Sequence, residues 1–171
     1  MSERIKWEAR AFEFNFPDGL YPEMIERLRG TPARLEDLTK SPPAEVLQRR
    51  TQDRWSIQEN AGHLLDLEQL VAQRLDQYIA DASELPAADM SNRKTHAAQH
   101  NTVPITSILN SFREQRMRLV KRLDSLDADM FARSALHPRL NKQMRLVDML
   151  YFQAEHDDYH LARISELLRS S

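Results

Sequence analysis

The chain of 171 residues contains no cysteine. That absence removes disulfides, thiolate metal ligands and any sulfur nucleophile of the protein's own, and it suits a reducing compartment. Glycine occurs only 3 times, too rarely for a glycine-rich phosphate loop or for a many-stranded fold with tight turns. No run of about 18 apolar residues is present, and Met1-Ser2-Glu3-Arg4-Ile5-Lys6 lacks the apolar stretch of a secretory signal. The expectation is a soluble, cytoplasmic protein with no membrane partner. An excess of charge is also missing: 24 basic side chains face 26 acidic ones, for a formal charge of -2. Without a basic footprint, nucleic acid is not an expected partner either. The length fits a single domain over residues 1–171 that buries roughly 70% of its unfolded surface. Such a domain folds without staples, so a bound metal would serve function rather than folding.

What the chain does have is helical periodicity. After an aromatic N-terminal arm of about residues 1–18 (Trp7, Phe12, Phe14, Phe16), a first stripe runs Leu20, Met24, Leu28, Thr31, Leu35 and Leu38. Gly30 and Pro32 are expected to kink it or split it. Ser56-Ile57-Gln58-Glu59 reads as a capping box, opening a second helix with an apolar stripe of Ile57, Leu64, Val71, Leu75 and Tyr78. Residues 87–101 read as polar and irregular. Thr102 is the candidate cap of a third helix (Ile105, Ile108, Leu109, Phe112, Leu119, Val120, Leu123), and a loop holding His137-Pro138-Arg139 leads to a fourth (Leu146, Met149, Leu150, His160, Ile164, Leu167). Four amphipathic helices with no alternating strand pattern predict an all-α four-helix bundle. The arm packs either on its own bundle or on a second copy; periodicity does not choose.

The most informative feature is Ala154-Glu155-His156-Asp157-Asp158-Tyr159-His160. Imidazoles four residues apart share one helix face about 6 Å apart along the axis and can reach a single ion at bonds of about 2.1 Å. On a helical wheel His63 sits on the flank of the second helix beside Asn60 and Leu67, and His156 and His160 occupy a comparable flank of the fourth. The two helices can therefore direct three imidazoles into one cleft, an open type of metal site. Metal affinity is expected to fall as pH drops through about 6.5, where imidazole protonates. His96 and His100 repeat the spacing, but in the polar stretch where rigid positioning is poor; with Asn60 and Asn101 they read as pocket rim. His137 reads as a loop residue.

His156-Asp157-x-x-His160 invites comparison with the zincin pattern H-E-x-x-H. Asp157, however, is one methylene short and falls in the apolar stripe, pointing at the core. Glu68 and Arg116 interrupt their own stripes in the same way. Buried charges need partners, so Arg116 is expected to pair inward with Asp157, Glu68 or both. Glu59, one turn before His63, is the nearest acid to that ring, but its capping role competes with any catalytic one. No catalytic residue is assigned.

Trp55-Ser56-Ile57-Gln58-Glu59-Asn60-Ala61-Gly62-His63-Leu64-Leu65-Asp66-Leu67-Glu68, taken with the late His156 and His160, resembles the DinB/YfiT-like family of metalloenzymes. The resemblance runs from about Leu20 onward and takes in Phe112 and Arg116. It implies an up-down-down-up bundle, a divalent metal (nickel or zinc) on His63, His156 and His160, and a homodimer. It also implies a small-molecule substrate, with activity as a thiol-dependent S-transferase using an exogenous low-molecular-weight thiol. The alternatives are a metal-dependent hydrolase and a non-catalytic metal-binding, stress-response bundle.

Overall fold

The computed structural model describes residues 4–170; the first three residues of the N-terminal arm and Ser171 lie outside it. Its long helices are α1 (Tyr21–Thr39), α3 (Ile57–Ile79), α5 (Ile105–Asp124) and α6 (Leu146–Arg169), with short helices α2 (Ala44–Gln48) and α4 (Arg93–Ala97) between them. α1 packs on α5 and α6, and α3 packs on the same two, so helices successive in sequence stand diagonally opposite as well as side by side. Cross-links between helices give the directions. Arg27 of α1 reaches Glu155 of α6 and Arg34 reaches Asp158, a parallel pair. Glu36 and Arg29 of α1 meet Arg113 and Asp124 of α5, an antiparallel pair. Glu68 and Asp76 of α3 meet Arg116 and Arg122 of α5, again parallel. The path is up-down-down-up.

Local chemistry explains the element boundaries. Ser56 Oγ accepts from Glu59 N at 3.0 Å while the Glu59 carboxylate accepts from Ser56 N at 2.9 Å, so α3 opens with the capping box in place. The third long helix starts later than Thr102, at Ile105, with Pro104 as its cap residue. Thr102 instead closes a 3-10 turn, where its hydroxyl donates to Gln99 O. Residues 87–101, read as irregular, contain α4 and the start of that turn.

Two further differences from the sequence reading have clear causes. Of the two outcomes expected at Gly30 and Pro32, a kink or a split, the split does not occur: α1 is one helix. Pro32 has no N–H for the Leu28 carbonyl one turn back, and Arg116 Nη1 donates to that oxygen at 3.1 Å instead. The connection before α6 is an antiparallel hairpin, β1 (Ser134–His137) with β2 (Lys142–Arg145). The chain leaving α3 adds to it through Leu136 N to Ser83 O and Leu85 N to Leu136 O. Four-residue strands are too short for alternation to stand out. His137, read as a loop residue, is consequently a buried strand residue.

The core forms two apolar clusters. One gathers Leu28, Val71, Leu119 and Ala154 with the hairpin and the arm residues Trp7 and Phe12, so the arm packs on its own bundle. The other gathers Leu35, Leu64, Phe112 and Leu161. Glu68, Arg116 and Asp157 fall on their helices between the two. Arg116 Nη2 to Glu68 Oε1 and Arg116 Nη1 to Asp157 Oδ2 are both 2.6 Å, with all three side chains sealed from solvent. Burial by itself lowers the guanidinium pKa, but the Asp157 and Glu68 charges raise it above its ordinary value. Thr31 and Gln153 donate to the Asp157 oxygens. No helix among the described residues is long and apolar enough to cross a membrane.

Candidate metal centre

Antiparallel packing of α3 on α6 brings the early and late histidines to one level. One nitrogen from each of His63, His156 and His160 lies within 4.8 Å of the others. The ring centroids are 5.4 Å (His63–His156), 4.8 Å (His63–His160) and 4.6 Å (His156–His160) apart. All three side chains are buried in the bundle wall yet line a cavity of about 640 Å³.

Hydrogen bonds select which nitrogen two of the rings present. His63 Nδ1 lies 3.0 Å from Thr95 Oγ1, whose single proton goes to Asp66 Oδ2 at 2.8 Å. The hydroxyl must therefore accept, so His63 carries its proton on Nδ1 and leaves the Nε2 lone pair free. His160 Nδ1 lies 2.9 Å from Asn60 Oδ1, while the Asn60 amide nitrogen donates to Ser56 O. His160 therefore has the same tautomer. Among the described residues His156 has no hydrogen-bond partner, and its Nδ1 is buried. Two rings with oriented lone pairs and a third with unsatisfied polar capacity suit a divalent cation, which prefers neutral imidazoles held by such outer hydrogen bonds.

Electrostatics keeps the rings neutral. Burial, reinforced by the neighbouring His156, lowers the His63 pKa to about 3. Burial lowers His156 to about 4 and His160 well below its ordinary value. The expected competition with protons near pH 6.5 therefore moves to lower pH. Glu59 is committed elsewhere: although burial opposes it, the Arg50 guanidinium and the Ser56 N–H hold its carboxyl below the usual range. Asp157 is held by Arg116 and points away from the cavity lining.

Of the rim candidates, Asn60 lines the cavity, whereas His96, His100 and Asn101 do not. His96 is exposed, beside the Trp55 ring at 5.8 Å. His100 is buried, with Nε2 2.8 Å from Asp66 Oδ2, and Asn101 accepts from Ser56 Oγ at 2.7 Å. His100 and Asn101 thus brace the start of α3 from behind the cavity. Gly62 makes room for this: a Cβ there would lie 2.2 Å from His100 Cγ.

Several contributors escape a reading by helical face. Thr95 comes from the short α4, and Asp66, three residues after His63, supplies the oxygen that Thr95 and His100 share. Asp66 alone carried a signal, being one turn along from His63. The chain's 2 tryptophans flank the cluster: Trp55 stands 4.7 Å from His63 and Trp7 stands 5.0 Å from His156, centroid to centroid. The cavity also holds Arg74, His137 and Arg139, contributed by α3 and the hairpin.

No curated protein matches the chain. Among solved structures it is similar to YfiT from Bacillus subtilis, described as a probable metal-dependent hydrolase with an unusual four-helix bundle topology. That match has a TM-score of 0.82 and 19% identity over 94% of this chain and 93% of that one. It is also similar to a mycothiol-dependent maleylpyruvate isomerase, with a TM-score of 0.67 and 11% identity over 86% of this chain; it spans 60% of that protein's length. At these identities the likeness is one of fold. The sequence profile of the DinB superfamily matches residues 27–164, and the chain belongs to that superfamily.

Proposed function

We propose that the protein is a divalent-metal-dependent enzyme of the thiol-dependent S-transferase type, acting on a small electrophilic molecule. His63, His156 and His160 would hold the cation, nickel or zinc. Bound there, it would acidify a coordinated thiol or water and polarise a carbonyl. The observation that carries the reading is the convergence of three neutral imidazoles on a cavity of about 640 Å³, large enough for a small substrate.

The choice of thiol transfer over hydrolysis rests on the carboxylates of α3 and α6, the helices that carry the three histidines; Glu8 and Asp53, which also line the cavity, come from the arm and the loop before α3. Hydrolysis calls for a free acid beside the nucleophilic water. Glu59 is tied to Arg50 and Ser56, Asp66 to Thr95 and His100, and Glu68 and Asp157 to Arg116. A small thiol needs no such base once its pKa is lowered, and the chain has no cysteine to supply the sulfur itself. Asn60 and Thr95 fix ring orientation, while Trp7 and Trp55 pack against His156 and His63 on either side.

The test is elemental analysis of protein reconstituted with nickel or zinc, followed by turnover of a panel of electrophiles with and without small thiols. One equivalent of metal and turnover only with thiol is the expected result, abolished in His63→Ala and His160→Ala. Ester turnover without thiol would replace this reading with the hydrolase one. Metal uptake equal in wild type and His160→Ala would remove that residue from the site.

A further inference from the structure

Most of the less exposed arginines are matched to carboxylates, as Arg27, Arg113, Arg116 and Arg145 are. Five arginines line the cavity: Arg4 and Arg163 share Glu166, Arg54 is exposed, and Arg74 and Arg139 have no carboxylate within salt-bridge distance among the described residues. Arg74 is 4% exposed. Its Nε donates to Pro86 O at 3.1 Å, Nη1 makes only a 3.9 Å contact with Met149 Sδ, and Nη2 makes no hydrogen bond. Arg139 lies over the Phe152 ring at 5.5 Å, and its Nη2 is buried with no hydrogen-bond partner among the described residues.

Between them in the same lining lies His137, 1% exposed. Its Nδ1 accepts the Leu140 N–H at 3.3 Å, so the ring proton sits on Nε2, and Nε2 is buried with no partner. Burial, with Arg74 and Arg139 nearby, lowers the His137 pKa to about 4 and keeps the ring a neutral donor. Burial, with a smaller effect of the Arg139 charge, lowers the Arg74 pKa to about 10. Glu8 is the carboxylate that bears on Arg139. His137 Nε2 and Arg139 Nη2 are thus buried donors without a partner among the described residues, and the buried Arg74 guanidinium in the same lining has no carboxylate. Left unanswered, each costs the desolvation of a buried polar group.

We propose that Arg74, His137 and Arg139 form a carboxylate-binding subsite, so that the substrate is a small organic acid anchored there with its reactive end toward His63, His156 and His160. This deepens the function proposed above and rests on it for the identity of the reactive end. Guanidinium N–H pairs match the planar oxygens of a carboxylate, and His137 supplies one further donor. The adjoining wall is apolar, with Leu70, Val71 and Phe152, and so accepts a hydrocarbon body. Trp7 connects the two ends: its ring packs at 5.0 Å from the His156 ring and at 5.9 Å from the Arg139 guanidinium carbon.

The subsite is tested on metal-free full-length protein, so that a carboxylate cannot bind through the cation. Titration calorimetry and thermal shift would compare benzoate, benzamide and inorganic phosphate as probes. Benzoate should raise Tm and bind at least about tenfold more tightly than benzamide, the scale of a hydrogen bond to a charged group. Arg139→Gln and Arg74→Met should each lose about that factor while nickel uptake and the helical spectrum stay at wild-type level. Equal binding of benzoate and benzamide, benzoate binding that both variants retain, or phosphate binding about tenfold tighter than benzoate would each overturn the assignment. Failure of the metal reading shows separately, as absent nickel uptake by wild type.

Discussion

At the residue scale, the site depends on which nitrogen each histidine turns toward the centre. Thr95 accepts from His63 Nδ1 and passes its own proton to Asp66, which frees His63 Nε2. Thr95→Val keeps the shape of the side chain and removes both bonds. It should weaken metal binding by about 10- to 100-fold, the usual effect of losing an outer partner of a ligating imidazole, with little change in helical content. Calorimetric nickel titration of the two proteins measures it, and unchanged affinity would show that the ring is held by packing alone. The 2 tryptophans on either side of the cluster offer a second readout, since a paramagnetic nickel ion between them should quench their emission. Gly62 acts one step further out. A methyl group there meets the His100 ring at 2.2 to 2.5 Å, inside a region where Gln58 also grips the His100 and Val103 carbonyls. Gly62→Ala should therefore push His100 off Asp66 and destabilise the fold by about 1–3 kcal/mol, the range for overpacking, as read by urea denaturation.

At the scale of elements, Arg116 is what allows α1, α3, α5 and α6 to meet around polar groups. It neutralises Glu68 and Asp157 and also supplies the donor that Pro32 denies to the Leu28 carbonyl. Arg116→Met would leave two buried carboxylates without a counter-charge and one buried carbonyl without a donor, and should cost about 3–5 kcal/mol. Pro32→Ala restores an amide to that carbonyl. The two substitutions should then couple by about 0.5–3 kcal/mol, with Pro32→Ala relieving part of the loss. Strict additivity in urea denaturation would mean that the carbonyl does not matter. Features of this kind divide what the sequence makes visible from what it does not. The four long helices are legible because a 3.6-residue stripe over 19 to 24 residues outweighs local exceptions, and so are His156 and His160, which share one turn. The continuity of α1 through Pro32 is not, because its remedy comes from a residue 84 positions away in the chain. Nor are Thr95, Arg139 and His137, which sit on a five-residue helix and a short hairpin whose place is set by packing rather than by period.

For the molecule as a whole, the buried imidazoles set how stability responds to acid. His63, His137, His156 and His160 are all buried in the fold, with pKa values lowered to about 3 for His63 and about 4 for His137 and His156, against about 6.5 when unfolded. Above pH 6.5 both states are neutral at these positions and they contribute no pH dependence. As pH falls below 6.5 the unfolded chain binds protons that the folded one refuses, so stability is lost down to about pH 4 and further to about 3 for His63. Each pKa unit corresponds to about 1.4 kcal/mol. The urea midpoint of metal-free protein should accordingly be flat above pH 7 and drop steadily between 6.5 and 4. Nickel at pH 7 should raise the midpoint in proportion to the logarithm of its concentration over Kd. That increment should persist to a lower pH than an exposed histidine site would allow, because burial, not the free imidazole, governs protonation of the folded rings. A midpoint that does not change between pH 7 and pH 5 in the metal-free protein would mean that the imidazoles are solvated in solution, and the open, pre-oriented site would have to be given up with them.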